Sequence, residues 1–223
     1  MQRSQLAKMI DHTVLGPAAS PDAVKRLCAE AIDLNVASAC VDGAYARLAH
    51  EALADSPVKL CIVVGFPHGM SNARVKAFEA RAAIEDGADE IDMVINVPAL
   101  QAGDHETVRD EIAAVCAAAS EAERTVEVKV ILETARLTDE EKTAGAKLAK
   151  EAGADFVKTS TGFGPGGATV EDVAILRSAV GPEMGVKAAG GIRDYETAVA
   201  MIEAGATRIG ASRTTAILEG AEA

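Results

Sequence analysis

The feature that most constrains the fold is a short motif that recurs along the chain. It reads EDGAD at residues 85–89, EAGAD at 151–155 and EAGAT at 203–207, and DLNVA at 33–37 follows the same plan with asparagine in place of glycine. Each copy ends a helical segment and precedes a short apolar run. Glycine, and after it asparagine, readily adopts the left-handed backbone conformation that ends a helix. The motif therefore predicts repeated junctions from helix to strand.

Between these junctions, the apolar residues alternate between helical and strand-like spacing. Val24, Leu27, Cys28 and Ala31, for example, recur with the period of one helix face. Eight short apolar runs are typical of buried strands: MIDHTVL, VASACV, KLCIVVG, EIDMVI, VEVKVIL, DFVK, GVKAAG and RIG. Helical segments follow them at roughly 21–34, 44–54, 71–86, 104–122, 138–152, 170–180, 194–204 and 212–219.

This strict alternation of strand and helix predicts an α/β fold. Parallel pairing with right-handed crossovers follows from the alternation, and eight such units favour a closed (β/α)₈ TIM barrel. We expect a single catalytic domain over residues 1–223, with few insertions. A doubly wound open sheet is the alternative, but no G-x-G-x-x-G turn follows the first strand.

Composition and charge exclude several classes of partner. The chain is 49% hydrophobic and has a formal net charge of -12, with no long run of lysines or arginines, which argues against binding to nucleic acid. No apolar run approaches the roughly 20 residues that cross a bilayer, and the N-terminal MQRSQLAKMI lacks an apolar signal core. The four cysteines lack the paired spacing of zinc or redox motifs. We therefore expect a cytoplasmic protein with no nucleic-acid or membrane partner. Its oligomeric state is left open between a homodimer and a homotetramer.

A lysine in the sixth predicted strand points to a site. Most lysines at strand ends extend their charge into solvent. In a barrel, however, alternate side chains face the interior, and if Val157 packs against the helices then Lys158 faces inward. The same phase turns Lys187 and Asp92 inward. It also directs inward Glu127, Lys129, Ile131 and Glu133. Interior charge is costly, so this convergence near the active-site end of a barrel indicates function.

Two lysines and an acid suit Schiff-base chemistry. A lysine amine is nucleophilic only when neutral, and from a reference pKa near 10.4 only about one molecule in a thousand is neutral near pH 7.5. A second ammonium group and an apolar environment both favour the neutral form. The neutral amine can condense with a carbonyl, and the resulting iminium is an electron sink for breaking or forming a carbon–carbon bond. This chemistry requires no cofactor, and none is predicted.

Three glycine-rich segments follow consecutive predicted strands and indicate the substrate. They are TSTGFGPGG after the sixth strand, AAGGI after the seventh and IGASR after the eighth. Glycines at any single loop usually serve tight turns, whereas exposed backbone N–H groups at three adjacent loops can surround an anion. We therefore expect a phosphate group there, as is common near the last strands of barrels. Ser212 either caps the final helix or contacts that phosphate.

In this order along the chain, IDHT, VVGFPHG, FVKTSTGF and GVKAAGGIR resemble the deoxyribose-phosphate aldolase family, whose members are class I aldolases on the barrel fold. The resemblance spans nearly the whole chain. It implies reversible cleavage of 2-deoxy-D-ribose 5-phosphate to D-glyceraldehyde 3-phosphate and acetaldehyde without a metal, in nucleoside and carbohydrate catabolism.

The resemblance also implies roles for individual residues. Lys158 would form the Schiff base, Lys187 would lower the pKa of that amine, and Asp92 would transfer protons together with Lys187 and water. Phosphate contacts would fall on Gly162, Gly190, Gly191, Gly210 and Ser212. Positions near the sugar would be Asp11, Thr13 and Cys40. The chain departs from some members at Phe163, where they carry lysine, and has no tyrosine among its final residues, where some members have one.

Three alternative functions remain open at this point. Another class I aldolase acting on a different phosphorylated sugar would share Lys158 and the glycine loops. A zinc-dependent aldolase would require clustered histidines, but the histidines are scattered singly at His12, His50, His68 and His105. A barrel that only binds sugar phosphates would retain the loops without the chemistry.

Overall fold

Eight parallel strands form a closed barrel in the computed structural model, which describes residues 1–17 and 19–222. The strands run in sequence order around the barrel, and β8 pairs with β1. Their bounds are β1 Ile10–Thr13, β2 Ser38–Val41, β3 Lys59–Val64, β4 Glu90–Val94, β5 Glu127–Ile131, β6 Phe156–Lys158, β7 Gly185–Ala189 and β8 Arg208–Ala211. The predicted (β/α)₈ barrel is confirmed, and the doubly wound alternative is wrong because the sheet has no open edge. Residues 18 and 223 of the predicted domain lie outside the described residues.

The helices surround this barrel, and each of the eight predicted helical segments contains one. Their bounds are α1 Arg3–Ala7, α2 Pro21–Asp33, α3 Ala46–Leu53, α4 Ala73–Glu85, α5 Val97–Gln101, α6 His105–Ser120, α7 Asp139–Glu151, α8 Val170–Val180, α9 Tyr195–Glu203 and α10 Thr214–Glu219. Helices α1 and α5 were not predicted, because five residues are too few to show a helical period. In the described part of the chain, no helix is both long and apolar enough to span a membrane.

The recurring junction motif behaves as the sequence predicts. Gly87, Gly153 and Gly205 follow helices α4, α7 and α9 with φ of 107°, 87° and 115°. Asn35, which takes this place after α2, has a φ of 52°. Because these angles lie in the region that favours glycine and asparagine, the motif ends each helix and directs the chain into the next strand.

The predicted alternation of side chains along the strands is also observed. Val157 and Val186 are fully buried in the main apolar core between barrel and helices. Lys158 and Lys187 instead contact Asp92 inside the barrel. A separate small apolar cluster in the interior contains Cys40, Cys61 and Val63. The strand phase therefore separates an apolar outer layer from a charged interior.

One ion pair is buried outside the barrel, between α4 and α6. Lys76 Nζ lies 2.6 Å from Glu111 Oε2, and the two residues are 0% and 3% exposed. Burial lowers the pKa of Lys76 against the opposing effect of the Glu111 carboxylate. The Lys76 stem also reaches the end of β3, where a Cβ atom on Gly65 would lie 3.1 Å from Lys76 Cε. This pair therefore joins two helices to the chain segment that leaves β3.

Candidate active site

The two predicted lysines meet on one carboxylate oxygen inside the barrel. Lys158 Nζ and Lys187 Nζ each lie 2.7 Å from Asp92 Oδ2. Their strands are adjacent and in register, so Lys158 pairs directly with Lys187 along the sheet. All three residues are buried, at 3% exposure or less. The structure thus assembles three residues that are separated by 95 positions along the chain.

Further charges surround this group and complete a buried ionic network. Lys129 Nζ lies 3.0 Å from Asp92 Oδ1 and 2.6 Å from Glu90 Oε2. Asp11 pairs with Lys187 at 2.5 Å and with Arg208 at 2.7 Å. Arg208 also lies 3.0 Å from Glu90 Oε1. We call these seven residues the interior network: Asp11, Glu90, Asp92, Lys129, Lys158, Lys187 and Arg208.

This arrangement fixes the charge of several members. Burial alone would raise the pKa of Asp92, but Lys129, Lys158 and Lys187 hold it well below its usual range. Burial opposes the charged form of Lys187, yet the Asp11 and Asp92 carboxylates hold the pKa of that amine above its usual value. At neutral pH, Asp92 is therefore an anion and Lys187 a cation.

An open cavity of about 280 Å³ lies above the network at the carboxyl ends of the strands. Lys158 lines this cavity, whereas Lys187 does not. The residues predicted to contact phosphate all line it, together with Thr13: Gly162, Gly190, Gly191, Gly210 and Ser212. A substrate in this cavity would therefore reach Lys158 before any other member of the network.

Glycine is required at these positions for two different structural reasons. Gly162, Gly190 and Gly191 have φ of 85°, 90° and 82°, in the region that favours glycine. Gly210 instead makes room, because a Cβ atom there would lie 3.1 Å from Lys187 Cε and 2.9 Å from the Ala189 side chain. Gly210 lies within β8, so the IGASR segment begins inside the eighth strand and does not follow it as predicted. This glycine therefore also determines where the second lysine can lie.

Two of the three residues predicted near the sugar lie below the cavity floor. Thr13 lines the cavity, but Asp11 and Cys40 are fully buried and do not. Asp11 belongs to the interior network, and Cys40 pairs in register with Cys61 of β3. We therefore assign Asp11 and Cys40 to the support of the site rather than to its lining.

The structure brings potential metal ligands together that the sequence spacing did not indicate. Donor atoms of Cys40, Cys61 and Asp92 all lie within 4.8 Å of one another, as do those of Asp11, Cys61 and Glu90. Both oxygens of Asp92 already contact lysine nitrogens, and Cys61 Sγ donates to Asp92 Oδ1 at 3.2 Å. A cation would have to displace these ammonium groups, so the observed donors fit hydrogen bonding within the network better.

The histidine at the end of the first strand has a structural environment. His12 is buried between helices, with Nε2 3.0 Å from Glu30 Oε2 and Nδ1 2.8 Å from Thr214 Oγ1. These contacts connect α2 and α10 on the outer face of β1. His12 therefore faces away from the interior network.

Sequence reasoning missed several members of the site. Glu90 and Arg208 received no role, although Glu90 stands two positions before Asp92 and so shares its inward phase. Glu127, predicted to face inward, pairs with Lys59 at 2.6 Å near the start of the strands, away from the cavity. Arg193 also lines the cavity, and its position directly after the AAGGI segment is the sequence signal for that placement.

An inward lysine that shares one carboxylate oxygen with a second lysine, at the active-site end of a (β/α)₈ barrel, defines a class I aldolase, in which an amine condenses with a carbonyl. Comparison with known proteins gives the particular family. The model of the DeoC/LacD family aldolases matches residues 5–220. The chain belongs to this family.

Individual relatives are similar over almost their full length. The chain is 54% identical over 219 residues to the deoxyribose-phosphate aldolase of Streptococcus suis, covering 98% of each chain. It is 56% identical over 218 residues to that of Thermococcus gammatolerans, covering 97% of this chain and 96% of the relative. A solved structure of the Aeropyrum pernix enzyme, described as tetrameric, has a TM-score of 0.90 and 37% identity, with 98% of this chain and 91% of that chain covered.

Proposed function

We propose that this chain reversibly cleaves 2-deoxy-D-ribose 5-phosphate to D-glyceraldehyde 3-phosphate and acetaldehyde through a Schiff base on Lys158. The observation that carries the proposal is the position of Lys158. Its amine lies 2.7 Å from Asp92 and lines the cavity that the glycine loops surround. The choice of substrate follows from the relatives that are named deoxyribose-phosphate aldolase.

The geometry supports different roles for the two lysines. Lys187 contacts two carboxylates, Asp11 and Asp92, and these hold it in the charged form. Lys158 contacts only one of them, and it reaches the cavity. A charged amine has no lone pair for attack, so this difference supports Lys158 as the nucleophile and Lys187 as the cation beside it.

The reaction then proceeds by a short series of proton and bond changes. Lys158 Nζ, once neutral, attacks the C1 carbonyl of the open-chain sugar, and loss of water gives an iminium. Removal of the proton from the 3-hydroxyl group breaks the C2–C3 bond, releases D-glyceraldehyde 3-phosphate and leaves an enamine. Protonation at C2 and hydrolysis free acetaldehyde and Lys158. Asp92 directly contacts both amines, which supports its proposed role in proton transfer with Lys187 and water.

The proposed function is tested by measuring acetaldehyde release from 2-deoxy-D-ribose 5-phosphate, with and without EDTA. We expect cleavage at the same rate in both conditions, because the iminium formed on Lys158 supplies the electron sink. Activity that EDTA abolishes and zinc restores would overturn the class I mechanism. Cleavage of a different sugar phosphate in preference would support the alternative class I aldolase, and binding without cleavage would support the non-catalytic barrel.

A second prediction concerns the phosphate group. If the segments around Gly162, Gly190 and Gly210 hold it, unphosphorylated 2-deoxyribose will react with a kcat/KM lower by roughly a hundredfold or more, because remote binding energy no longer assists the reacting centre. Steady-state kinetics on the two sugars measures this ratio. Similar constants for both sugars would show that the glycines serve only the turns.

The proposal extends to location and assembly. We place the chain in the cytoplasm, which fractionation of the source cells would test.

We also propose a homo-oligomer, since α4 and the segment before it expose Met70, Val75 and Phe78 at 61%, 49% and 69%, and apolar exposure of this kind favours contact with another copy. Light scattering at micromolar concentration should give a mass above that of one chain, and a monomer would contradict the proposal.

A further inference from the structure

We propose that Glu133 is a positioning residue: its buried carboxylate holds the loop after β6 in the conformation that receives the phosphorylated end of the substrate. The inference rests on the proposed function and extends it to a residue outside the catalytic group. Glu133 is 4% exposed and stands two positions after the end of β5. It does not line the cavity that contains Lys158, so it acts through the loop that does.

The backbone at Glu133 is unusual. Its φ and ψ are 58° and 59°, in the left-handed region. Among the described residues, the other non-glycine positions with positive φ are Asn35 and Asp55. Asparagine and aspartate tolerate this region because their short side chains can bond locally, whereas glutamate has no such advantage. Such a conformation persists only where the surroundings impose it, and it is concentrated at functional sites.

The side chain shows what the conformation achieves. One carboxylate oxygen of Glu133 accepts a hydrogen bond from Thr161 Oγ1, and the other lies 3.4 Å from the Thr161 backbone nitrogen, which donates to it. The same Thr161 hydroxyl accepts from the Phe163 backbone nitrogen at 3.1 Å. A single carboxylate therefore fixes both the backbone and the side chain of Thr161 and, through its hydroxyl, the turn at Gly162.

The loop also packs directly on this carboxylate. A Cβ atom on Gly164 would lie 2.8 Å from the carboxyl carbon and one oxygen of Glu133. Only glycine fits there without displacing the acid. Further along, the Ala168 backbone nitrogen donates to the Gly190 carbonyl at 3.0 Å, and a Cβ atom on Gly167 would lie 2.2 Å from that oxygen. The loop is thus held at one side by Glu133, which follows β5, and at the other by Gly190, which follows β7.

The held segment is the part of the loop that faces the substrate. Thr161, Gly162 and Phe163 line the cavity together with Lys158. Without its attachment to Glu133, the loop would have to become ordered when the substrate binds. The free energy needed for this ordering would weaken binding of the phosphorylated substrate. The reacting amine, on β6 itself, would keep its contact with Asp92. Loss of Glu133 should therefore weaken binding more than it slows chemistry.

The test is steady-state kinetics on Glu133→Ala and Glu133→Gly with both sugars. Glycine adopts the left-handed conformation without strain, so Glu133→Gly tests the carboxylate even if the alanine variant fails to fold. We expect KM for 2-deoxy-D-ribose 5-phosphate to rise about tenfold or more, as for loss of a hydrogen bond to a charged group, with kcat changed by less than about threefold. The kcat/KM for unphosphorylated 2-deoxyribose should stay within about twofold, since that sugar does not use the phosphate loop.

Three further variants separate a positioning role of Glu133 from a general loss of stability. Thr161→Val should raise KM in the same way. The double variant with Glu133→Gly should have a KM no higher than that of either single variant, because both substitutions remove the same hydrogen bond. Glu141→Ala removes a similar carboxylate contact, from Glu141 of α7 to the backbone nitrogen of Thr138 just before that helix, and should leave the kinetics of both sugars unchanged. Equal losses for the two sugars, additive effects, or a fall in kcat with unchanged KM would each overturn the role.

Hydrogen exchange provides a readout independent of activity. In Glu133→Gly, peptides covering residues 159–168 should exchange about tenfold faster or more than in the unsubstituted chain, because the loop opens more often, while peptides from α7 should not change. Unchanged exchange in the loop would overturn the inference. If the unsubstituted chain failed to cleave the phosphorylated sugar, the proposed function would be wrong, whereas faster exchange would still show that Glu133 holds the loop.

Discussion

Borohydride reduction in the presence of acetaldehyde will fix a two-carbon adduct on Lys158 and leave Lys187 unmodified. Lys158 lines the cavity, whereas Lys187 is held as a cation by Asp11 and Asp92. Replacing Lys158 by Met should abolish the adduct and lower kcat/KM by a factor on the order of a thousand or more, because the step that needs the nucleophile is lost. Mass spectrometry of the reduced protein locates the adduct.

Two controls make this result specific. Lys147→Met changes an exposed lysine on α7 and should leave both the adduct and the rate unchanged. Lys158→Arg keeps a positive charge beside Asp92 but offers no usable nucleophile, so it should be as inactive as Lys158→Met. An adduct on Lys187, or equal adducts on both lysines, would contradict the assigned roles.

The largest expected effect on stability comes from the buried pair between α4 and α6. Lys76→Met should lower the free energy of unfolding by about 3–5 kcal/mol, because it leaves the Glu111 carboxylate buried without its partner. Lys76→Met combined with Glu111→Leu should recover most of that loss, since the remaining groups are apolar and the helices can pack on them. Urea unfolding of the three chains gives the comparison.

A surface pair provides the matched control. Arg47 and Asp86 also form an ion pair, at 2.6 Å, but the Arg47 side chain is 77% exposed. Arg47→Met should leave the unfolding midpoint nearly unchanged, because solvent replaces the lost contact. If Lys76→Met proved as harmless as Arg47→Met, the interface between α4 and α6 would have to admit water to Glu111.

The sequence predicted the barrel well because its signals are local. Each junction glycine, such as Gly153, needs only its own backbone angle, and each short strand shows its phase within a few residues. The phase alone placed Lys158, Lys187 and Asp92 inside. The short helix α5 gave no comparable signal, since one turn has no period to detect.

The missing parts of the site depend on distant registers. Nothing local tells that Lys129 will contact both Glu90 and Asp92, or that Cys40 will lie beside Cys61, because these contacts depend on how separate strands align. Arg208 was overlooked for the same reason: its partners Asp11 and Glu90 are 197 and 118 positions away. Only the closed barrel brings such groups together.

The acids and the cations of the interior network come from different halves of the chain, and this separation bears on how the barrel folds. Its three acids, Asp11, Glu90 and Asp92, all come from β1 and β4, in the first four strands. Its four cations all come from the last four strands: Lys129, Lys158, Lys187 and Arg208. Apart from Lys59 of β3, which lies 3.6 Å from Glu90, and Glu127 of β5, which lies 3.9 Å from Arg208, each half taken alone would bury its network charges without counterions, and this is costly for each. Neither half-barrel is then stable by itself, because each half supplies the counterions of the other. Closure of the barrel and neutralisation of its interior charges therefore occur in one cooperative step.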